Sequence, residues 1–458
     1  RTARSATMVN LLWNVSRDMY IVLLAILLIE QIPGADLLDE NTRKVVVSIT
    51  VVVVIVKVMQ MLTESGGGKG PGRLPARSKR LESGKAASLD WASAEMQGWR
   101  PAMEDATCVV PSLGAPLRRH ALFAVFDGHG GAEVSRIASE EFPKVLAACA
   151  KEIAEASPSS AEDSGGDKGG DANASPSSAA AADGQEELAA ASGMAKLVGK
   201  ALYTAMLKMD AVLREGGSVM TGRQPDAIPM EVRRMMAPSS EKKNAFDLVG
   251  STAIIAVVEF GEDAEETGGG NAQEVASGSG ARPLRVVVAN CGDSRAVLCR
   301  GGRAVELSED HKPELEGEEA RIRRAGGCVA RMGPCHRIDR WGLNLSRALG
   351  DFHYKARPDL SPEEQKVVAA PEIRTLELTD EDEFLVLGCD GVFELHTSQR
   401  VIDIVRQGLQ GGMTVGQAAA DLVDKSCSPN LMQTGGKGGD NCSAIVVGLP
   451  AAPSGGDR

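Results

Sequence analysis

The feature that most constrains this chain is the segment Phe126-Asp-Gly-His-Gly-Gly131, which follows the apolar run at residues 121–125. An apolar run that ends in a glycine-rich segment predicts a buried strand with a tight turn at its end. That turn presents a carboxylate, a backbone carbonyl and an imidazole together. Carboxylates and carbonyls are the oxygen ligands that Mg²⁺ or Mn²⁺ prefer, and an imidazole exchanges a proton near neutral pH. The segment therefore predicts a divalent-cation site beside a proton donor.

Composition narrows the class of protein. The chain has 458 residues, 43% of them hydrophobic, which is enough for one large domain with appendages. Its net charge of −12 argues against a surface that binds nucleic acid. The nine cysteines form no Cys-x-x-Cys pair, which favours reduced thiols in a cytosolic domain over disulfides.

The first 65 residues differ from the rest. Two apolar segments, at about 19–33 and 45–62, each approach the roughly 17 to 25 residues that a membrane-spanning helix needs. Basic residues lie before the first and after the second, so a hairpin with both ends in the cytosol fits the positive-inside rule. We expect a membrane-anchored protein whose catalytic domain faces the cytosol. The alternatives are a signal or anchor sequence in the first segment, a buried strand in the second, and a soluble cytoplasmic protein.

The remaining chain is expected to hold one domain. Residues 66–88 are predicted to be a basic, glycine-rich linker, and the ordered domain is expected at 89–449, followed by a polar tail at 450–458. Two low-complexity stretches, 157–193 and 261–282, are predicted to be disordered insertions.

Paired strands and long helices follow one another along this domain. They predict an α+β fold in which a central antiparallel β-sandwich is flanked by α-helices on both sides and preceded by the N-terminal hydrophobic hairpin. Strands are predicted at 107–110, 121–126, 252–259, 285–290, 296–300, 384–388 and 444–447, and helices at 132–151, 197–215, 316–325, 398–410 and 415–426.

Acidic residues recur at the expected strand ends and turns. Asp-Gly and Asp-Asn pairs are ordinary turn residues, so any one of them alone indicates a turn rather than a metal ligand. Together they indicate more, because clustered carboxylates repel one another unless cations neutralise them. The segments concerned are Glu104-Asp105, Asp127-Gly128, Asp293-Ser294, Asp390-Gly391 and Asp440-Asn441.

These residues lie within longer motifs that resemble the type 2C metal-dependent serine/threonine protein phosphatases. The motifs occur in that family's order and cover about residues 89 to 449. They are Gly98-Trp-Arg-Pro-Ala-Met-Glu-Asp105, Phe126–Gly131, Gly250-Ser-Thr252, Asn290–Ala296, Asp310-His-Lys-Pro313, Ser346-Arg-Ala-Leu-Gly-Asp351, Gly388–Gly391 and Asp440-Asn441.

The resemblance implies a role for each matching residue. Two Mg²⁺ or Mn²⁺ ions would be held by Asp127, Asp390, Asp440 and the Gly128 carbonyl. Bound waters would connect these ions to Glu104 and Asp105, and Asp293 with Asp390 would form a weaker third site. The resemblance also implies that Arg100 binds the substrate phosphate, that His129 protonates the leaving oxygen, and that Asp351 and Asn441 support this site without binding metal.

A purely structural role remains an alternative for several of these residues. Arg100 could be an ordinary surface arginine, and His129 could only brace its turn. His311 and Lys312 are expected to serve loop structure. The chain also departs from the family where Val392-Phe-Glu394 stands in place of an aromatic residue followed by Asp. We expect this change to alter packing and not to abolish activity.

The leading hypothesis is an active phosphatase for phosphoserine and phosphothreonine in proteins, with no covalent phosphoenzyme. Its expected partners are phosphorylated proteins and a membrane, without nucleic acid, and the protein is expected to be monomeric. One alternative is a pseudophosphatase that acts as a phosphoprotein-binding scaffold at a membrane. Another is a hydrolase of small phosphorylated molecules.

Overall fold

The computed structural model describes residues 74–156, 193–219, 244–261, 283–340 and 342–450. The strands are β1 (Ala76–Ala86), β2 (Leu89–Gly98), β3 (Ala106–Val110), β4 (His120–Phe126), β5 (Gly128–His129), β6 (Gly250–Ser251), β7 (Ala253–Phe260), β8 (Pro283–Cys291), β9 (Arg295–Arg300), β10 (Arg303–Glu306), β11 (Val329–Met332), β12 (Cys335–Ile338), β13 (Leu349–Gly350), β14 (Glu372–Glu377), β15 (Asp382–Gly388) and β16 (Cys442–Gly448). The α-helices are α1 (Glu133–Ala156), α2 (Gly193–Val219), α3 (Glu316–Arg324), α4 (Asp390–Phe393), α5 (Ser398–Gln410) and α6 (Val415–Ser426).

The strands form antiparallel sheets. One six-stranded sheet has the order β1-β2-β16-β15-β9-β10, and one five-stranded sheet has the order β14-β8-β7-β4-β3. A small three-stranded sheet, β13-β6-β5, and the hairpin β11-β12 complete them. The mixed fold of antiparallel sheets and helices agrees with the class predicted from sequence.

The five-stranded sheet is covered on both faces, and its sequence explains why. Successive side chains of a strand point to opposite faces. Phe123 and Val125 of β4 belong to an apolar cluster that also contains residues of the six-stranded sheet and of helices α5 and α6. Leu122 and Phe126 belong to a second cluster, shared with helices α1 and α2. Because both faces are buried, residues 121–126 of β4 are all apolar and do not alternate with polar residues.

Helices α5 and α6 begin where their sequences supply caps. The Thr397 side chain accepts a hydrogen bond from the backbone N–H of Arg400 at the start of α5. Thr414 and Gln417 form a reciprocal capping box at the start of α6. Both helices have the bounds expected from the sequence.

Ordered structure begins earlier in the chain than the sequence suggested. The sequence analysis expects it near Leu89, whereas strand β1 starts at Ala76 and pairs with β2 along its length. Strand β1 lies at the edge of its sheet and most of its side chains are exposed. The apolar pattern that marks a buried strand is therefore missing from its sequence.

The described part of the chain contradicts the expectation of a membrane-anchored protein. Within the part of the chain that the structure describes, no helix is both long enough and apolar enough to cross a bilayer. The two candidate segments at 19–33 and 45–62 lie outside the described residues, as do most of the two expected insertions, at 157–192 and 262–282.

A buried histidine makes stability depend on pH. His120 is 3% exposed at the start of β4. Burial, helped by the charge of Arg119, lowers the pKa of His120 to about 4. Between the ordinary histidine value and pH 4, the unfolded chain therefore binds a proton that the folded chain does not. Proton binding by the unfolded chain has no effect on stability above the unfolded pKa of His120. It destabilises the folded protein as the pH falls below that value.

Because the pKa of His120 is depressed to about 4, we expect this residue to lower the free energy of unfolding by about 2 kcal/mol as the pH falls from 7 to 5. The measurement is urea unfolding of the wild type and of His120→Gln at both pH values, in chelator. The stability difference between the two proteins should change with pH by that amount. A constant difference would show that His120 does not titrate in this way.

Candidate active site

Strand pairing brings together the acidic segments that lie far apart in sequence. Gly388, at the end of β15, pairs with Ala444 near the start of β16. Asp390 and Asp440 therefore lie next to the adjacent ends of two neighbouring strands. Gly388 also pairs with Arg295, which places Asp293, just before β9, at the same edge of the sheet. The antiparallel register therefore places three of the predicted ligands at one edge.

Asp127 reaches this region from the other large sheet. It lies between β4 and β5, where its backbone carbonyl accepts a hydrogen bond from Thr252 N at 2.9 Å. The next residue, Gly128, packs so tightly that a Cβ there would lie 2.1 Å from the backbone oxygen of Glu104. Glycine at this position therefore allows the Asp127 turn to approach the Glu104-Asp105 segment.

A second close approach joins Asp390 to Asp440. A Cβ at Gly391 would lie 2.0 Å from the backbone oxygen of Asn441. The Asn441 side chain in turn fixes the loop that carries Arg100 and Glu104. Its Nδ2 donates to the carbonyls of Gln97 and Ala102 at 2.8 and 3.0 Å, and its Oδ1 accepts from Glu104 N at 2.9 Å. Asn441 thus ties the loop that carries Arg100 and Glu104 to the segment that carries Asp440.

The carboxylates strongly perturb one another. Burial and then the charges of Asp105 and Asp390 raise the pKa of Asp127 well above its ordinary value. Burial and the charges of Asp293 and Asp440 do the same to the pKa of Asp390. Burial also raises the pKa of Asp105 to about 7. The charges of Asp105, Asp293, Asp390 and Asp440 thus contribute to the raised pKa values of their neighbours, as expected for carboxylates that lie close together.

Two cationic side chains pair with carboxylates of this region. Arg100 donates from Nη2 to Asp440 Oδ2, and Lys312 donates from Nζ to Asp293 Oδ2. Arg100 is about half exposed, whereas Asp293 is 3% exposed. The sequence analysis assigned Lys312 to loop structure, and its contact with Asp293 was missed because the two residues lie in different motifs.

The residues present suit a hard divalent cation. Both side-chain oxygens of Asp105 are buried and have no hydrogen-bond partner among the residues that the structure describes. The neighbouring oxygen ligands are carboxylates and the Gly128 carbonyl, the set that Mg²⁺ and Mn²⁺ prefer. Among the described residues, no three His, Cys, Asp or Glu side chains are arranged as a ready ligand cage. Asp440 and Asp293 are instead turned toward Arg100 and Lys312.

His129 lies beside this acidic region and contacts Asp351. Its Nε2 lies 2.6 Å from Asp351 Oδ2. Burial alone lowers the pKa of His129, but the charge of Asp351 and this hydrogen bond outweigh burial, so the net pKa is raised. The sequence analysis placed Asp351 near the site without identifying its partner.

The departure at Glu394 has a structural role. Its Oε2 accepts a hydrogen bond from Gly438 N at 2.7 Å, which holds the loop that leads to Asp440. The neighbouring Phe393 ring stacks under the Arg295 guanidinium, 5.0 Å from the ring centre. Glu394 and Phe393 therefore each make a contact that connects this segment to a neighbouring part of the site.

A known protein family matches most of this chain. The family model described as protein phosphatase 2C matches residues 89–206 and 230–435. The chain belongs to the protein phosphatase 2C family. It is therefore a protein serine/threonine phosphatase, as the sequence predicted.

Individual relatives agree with this membership. The chain is 32% identical to a probable protein phosphatase 2C 58 of Oryza sativa subsp. japonica, over 81% of this chain and 87% of the relative. It is also 32% identical to a probable protein phosphatase 2C 3 of Paramecium tetraurelia, over 82% and 97% of the two chains. The crystal structure of a phosphatase from Toxoplasma gondii has the same fold, with a TM-score of 0.52 at 23% identity over 83% of this chain and 98% of that one.

Proposed function

We propose that this phosphatase hydrolyses phosphoserine and phosphothreonine in proteins with two divalent cations, Mg²⁺ or Mn²⁺. Asp127, Asp390, Asp440 and the Gly128 carbonyl would hold the pair. The observation that carries this proposal is a set of partly buried carboxylates that converge on one region, where desolvation and their mutual repulsion raise the pKa values of Asp127 and Asp390. Such a cluster is destabilising unless a cation neutralises it.

The surrounding acidic residues have lesser roles in this proposal. Glu104 and Asp105 would contact the cations through bound waters. Asp293 together with Asp390 would form a weaker third site, where the Lys312 ammonium group lies beside Asp293. An ammonium group at that position already offsets part of the negative charge, which agrees with weaker metal binding there.

Bound cations would supply a more acidic water and screen the charge of the phosphate dianion. Arg100 binds the phosphate, because its planar fork matches two phosphate oxygens and its side chain is about half exposed beside Asp440. His129 holds the proton that the leaving seryl or threonyl oxygen takes as the phosphorus–oxygen bond breaks. General-acid catalysis of this kind contributes about 10²- to 10⁴-fold in rate.

The two large sheets are proposed to pack face to face as the sandwich expected from the sequence, with helices on both sides. Support comes from the first apolar cluster, which combines residues of both sheets with helices α5 and α6. The second cluster adds helices α1 and α2 to the other face of the five-stranded sheet. In this arrangement both sheets contribute loops to the acidic region.

The test is phosphate release from a phosphothreonine peptide by the full chain, with Mn²⁺ or Mg²⁺ and again with EDTA. We expect release with metal and none with chelator. A small alkyl phosphate, assayed in parallel, should be turned over much more slowly than the peptide. A folded, metal-loaded protein that binds the phosphopeptide without releasing phosphate would refute the proposed turnover. Faster turnover of the small ester would refute the proposed substrate class.

A further inference from the structure

Asp351 is a buried carboxylate with a single ring as its side-chain partner. It is 1% exposed and directly precedes the short 3-10 helix Phe352–Lys355. Among the described residues, the one hydrogen bond of its side chain is to Nε2 of His129 at 2.6 Å. A carboxylate is costly to bury, so a contact this specific indicates a role for the pair.

The backbone of Asp351 has an unusual conformation that hydrogen bonds hold in place. Asp351 has φ +52° and ψ +43°, a left-handed conformation that few residues other than glycine adopt. Its N–H donates to Val249 O at 3.0 Å, and its carbonyl accepts from Tyr354 N at 2.9 Å. Hydrogen bonds at both ends therefore hold the residue in an uncommon conformation, and such conformations concentrate at functional sites.

Gly250 leaves the space in which the two side chains meet. A Cβ at this position would lie 2.1 Å from Asp351 Oδ2 and 2.6 Å from His129 Nε2. No side chain fits there while the hydrogen bond exists. Three separate features, the buried carboxylate, the left-handed backbone and the bare glycine, thus serve one hydrogen bond.

We propose that Asp351 is a positioning residue that fixes the orientation and tautomer of His129. With Nε2–H donated to Asp351, the proton that can be transferred is the one on Nδ1. The His129 side chain remains 24% exposed, and its Nδ1 makes no hydrogen bond to any described residue. This inference rests on the proposed function, because that proposal makes His129 the general acid.

The chemical step balances in the following way. The oxygen of a water forms a bond to phosphorus while the bond from phosphorus to the seryl or threonyl oxygen breaks. The electron pair of the broken bond stays on the leaving oxygen, which takes the proton from Nδ1 of His129. The ring is left neutral, with its remaining proton on Nε2 and still bonded to Asp351. The proton lost by the attacking water passes to solvent.

The test compares two substrates that differ in their need for a proton. A threonyl oxygen leaves poorly without one, whereas the p-nitrophenolate of p-nitrophenyl phosphate leaves readily. In the full chain with Mn²⁺, Asp351→Asn should lower kcat on a phosphothreonine peptide about 10²-fold, the lower end of the range for general-acid catalysis. On p-nitrophenyl phosphate the same variant should lose less than about threefold, since little proton transfer is required.

Two further variants separate positioning from loss of structure. Gly250→Ala should give the same selective loss, because the added Cβ occupies the space of the hydrogen bond without removing either charge. Asp382→Asn is the matched control. Asp382 is also a buried aspartate, paired with Arg300 at 2.8 Å at the far end of the strand that leads to Asp390. Its replacement should leave the ratio of the two activities unchanged.

The outcomes distinguish this inference from the proposed function. No phosphate release by the wild type would refute the proposed function itself. An active wild type with an Asp351→Asn variant that slows both substrates equally, or neither, would refute only the positioning role.

A measurement on the wild type covers the case in which the variants fail to fold. In the Mg²⁺-loaded chain with ¹⁵N-labelled histidine, the neutral His129 ring should carry its proton on Nε2. His129→Gln would assign the signal. A proton on Nδ1 would overturn the proposal.

Discussion

Asp127→Asn is expected to lower kcat on a phosphothreonine peptide by about three orders of magnitude, because metal-assisted charge stabilisation supplies several kcal/mol and each 1.4 kcal/mol is tenfold. The same change should weaken Mn²⁺ binding in calorimetry. The metal-free protein should nevertheless unfold at an equal or higher urea concentration. Asp127 is repelled by Asp105 and Asp390, and a neutral amide removes that repulsion.

The prediction is distinctive because kcat should fall while the stability of the metal-free protein is kept or increased. Asp382→Asn again provides the matched control, since it removes one partner of a buried ion pair with Arg300. That control should lose stability and keep Mn²⁺ affinity. If Asp127→Asn kept near-normal activity, or lost stability as the control does, Asp127 would not belong to a metal-neutralised cluster.

The elements with strong local sequence signals were predicted most accurately. Strand β4 was expected at 121–126 and spans His120–Phe126, and helices α5 and α6 have the expected bounds. Apolar runs and capping threonines are local signals, so they can be interpreted without knowing the fold. Strand β1 and the hairpin β11–β12 were missed because their side chains, mostly exposed in β1 and half-buried in the hairpin, carry no apolar period. The buried strand β2 was missed as well.

The sequence indicated which acidic segments gather in one region but not which side chains pair there. The predicted acidic residues, Asp127 and Asp390 among them, perturb one another's pKa, as their clustering requires. The partners of Asp293 and His129 were not predictable. Asp351 is 222 residues from His129 in sequence, and only the pairing of β13 and β5 with β6 places them together. Such a contact is set by tertiary structure and leaves no local pattern.

Arg100 offers a separate test of how phosphate is bound. Its guanidinium pairs with Asp440 and is affected by the charges of Asp390 and Asp127. Because the Arg100 side chain is about half exposed, its ion pair with Asp440 adds little to stability. Its loss should therefore affect the substrate more than the fold. A charge-assisted hydrogen bond to phosphate is worth about 1.5 to 3 kcal/mol, which corresponds to about 10- to 100-fold in affinity.

We accordingly expect Arg100→Ala to raise KM for a phosphothreonine peptide about 10- to 100-fold while kcat changes much less. Arg100→Lys should recover part of this loss, because an ammonium keeps the charge but lacks the planar fork. Arg357→Ala is the control, since Arg357 is a similarly exposed arginine paired with a different carboxylate, that of Asp359. Its KM should match the wild type. An unchanged KM in Arg100→Ala, or an equal fall of kcat and kcat/KM, would mean that Arg100 does not hold the phosphate in the ground state.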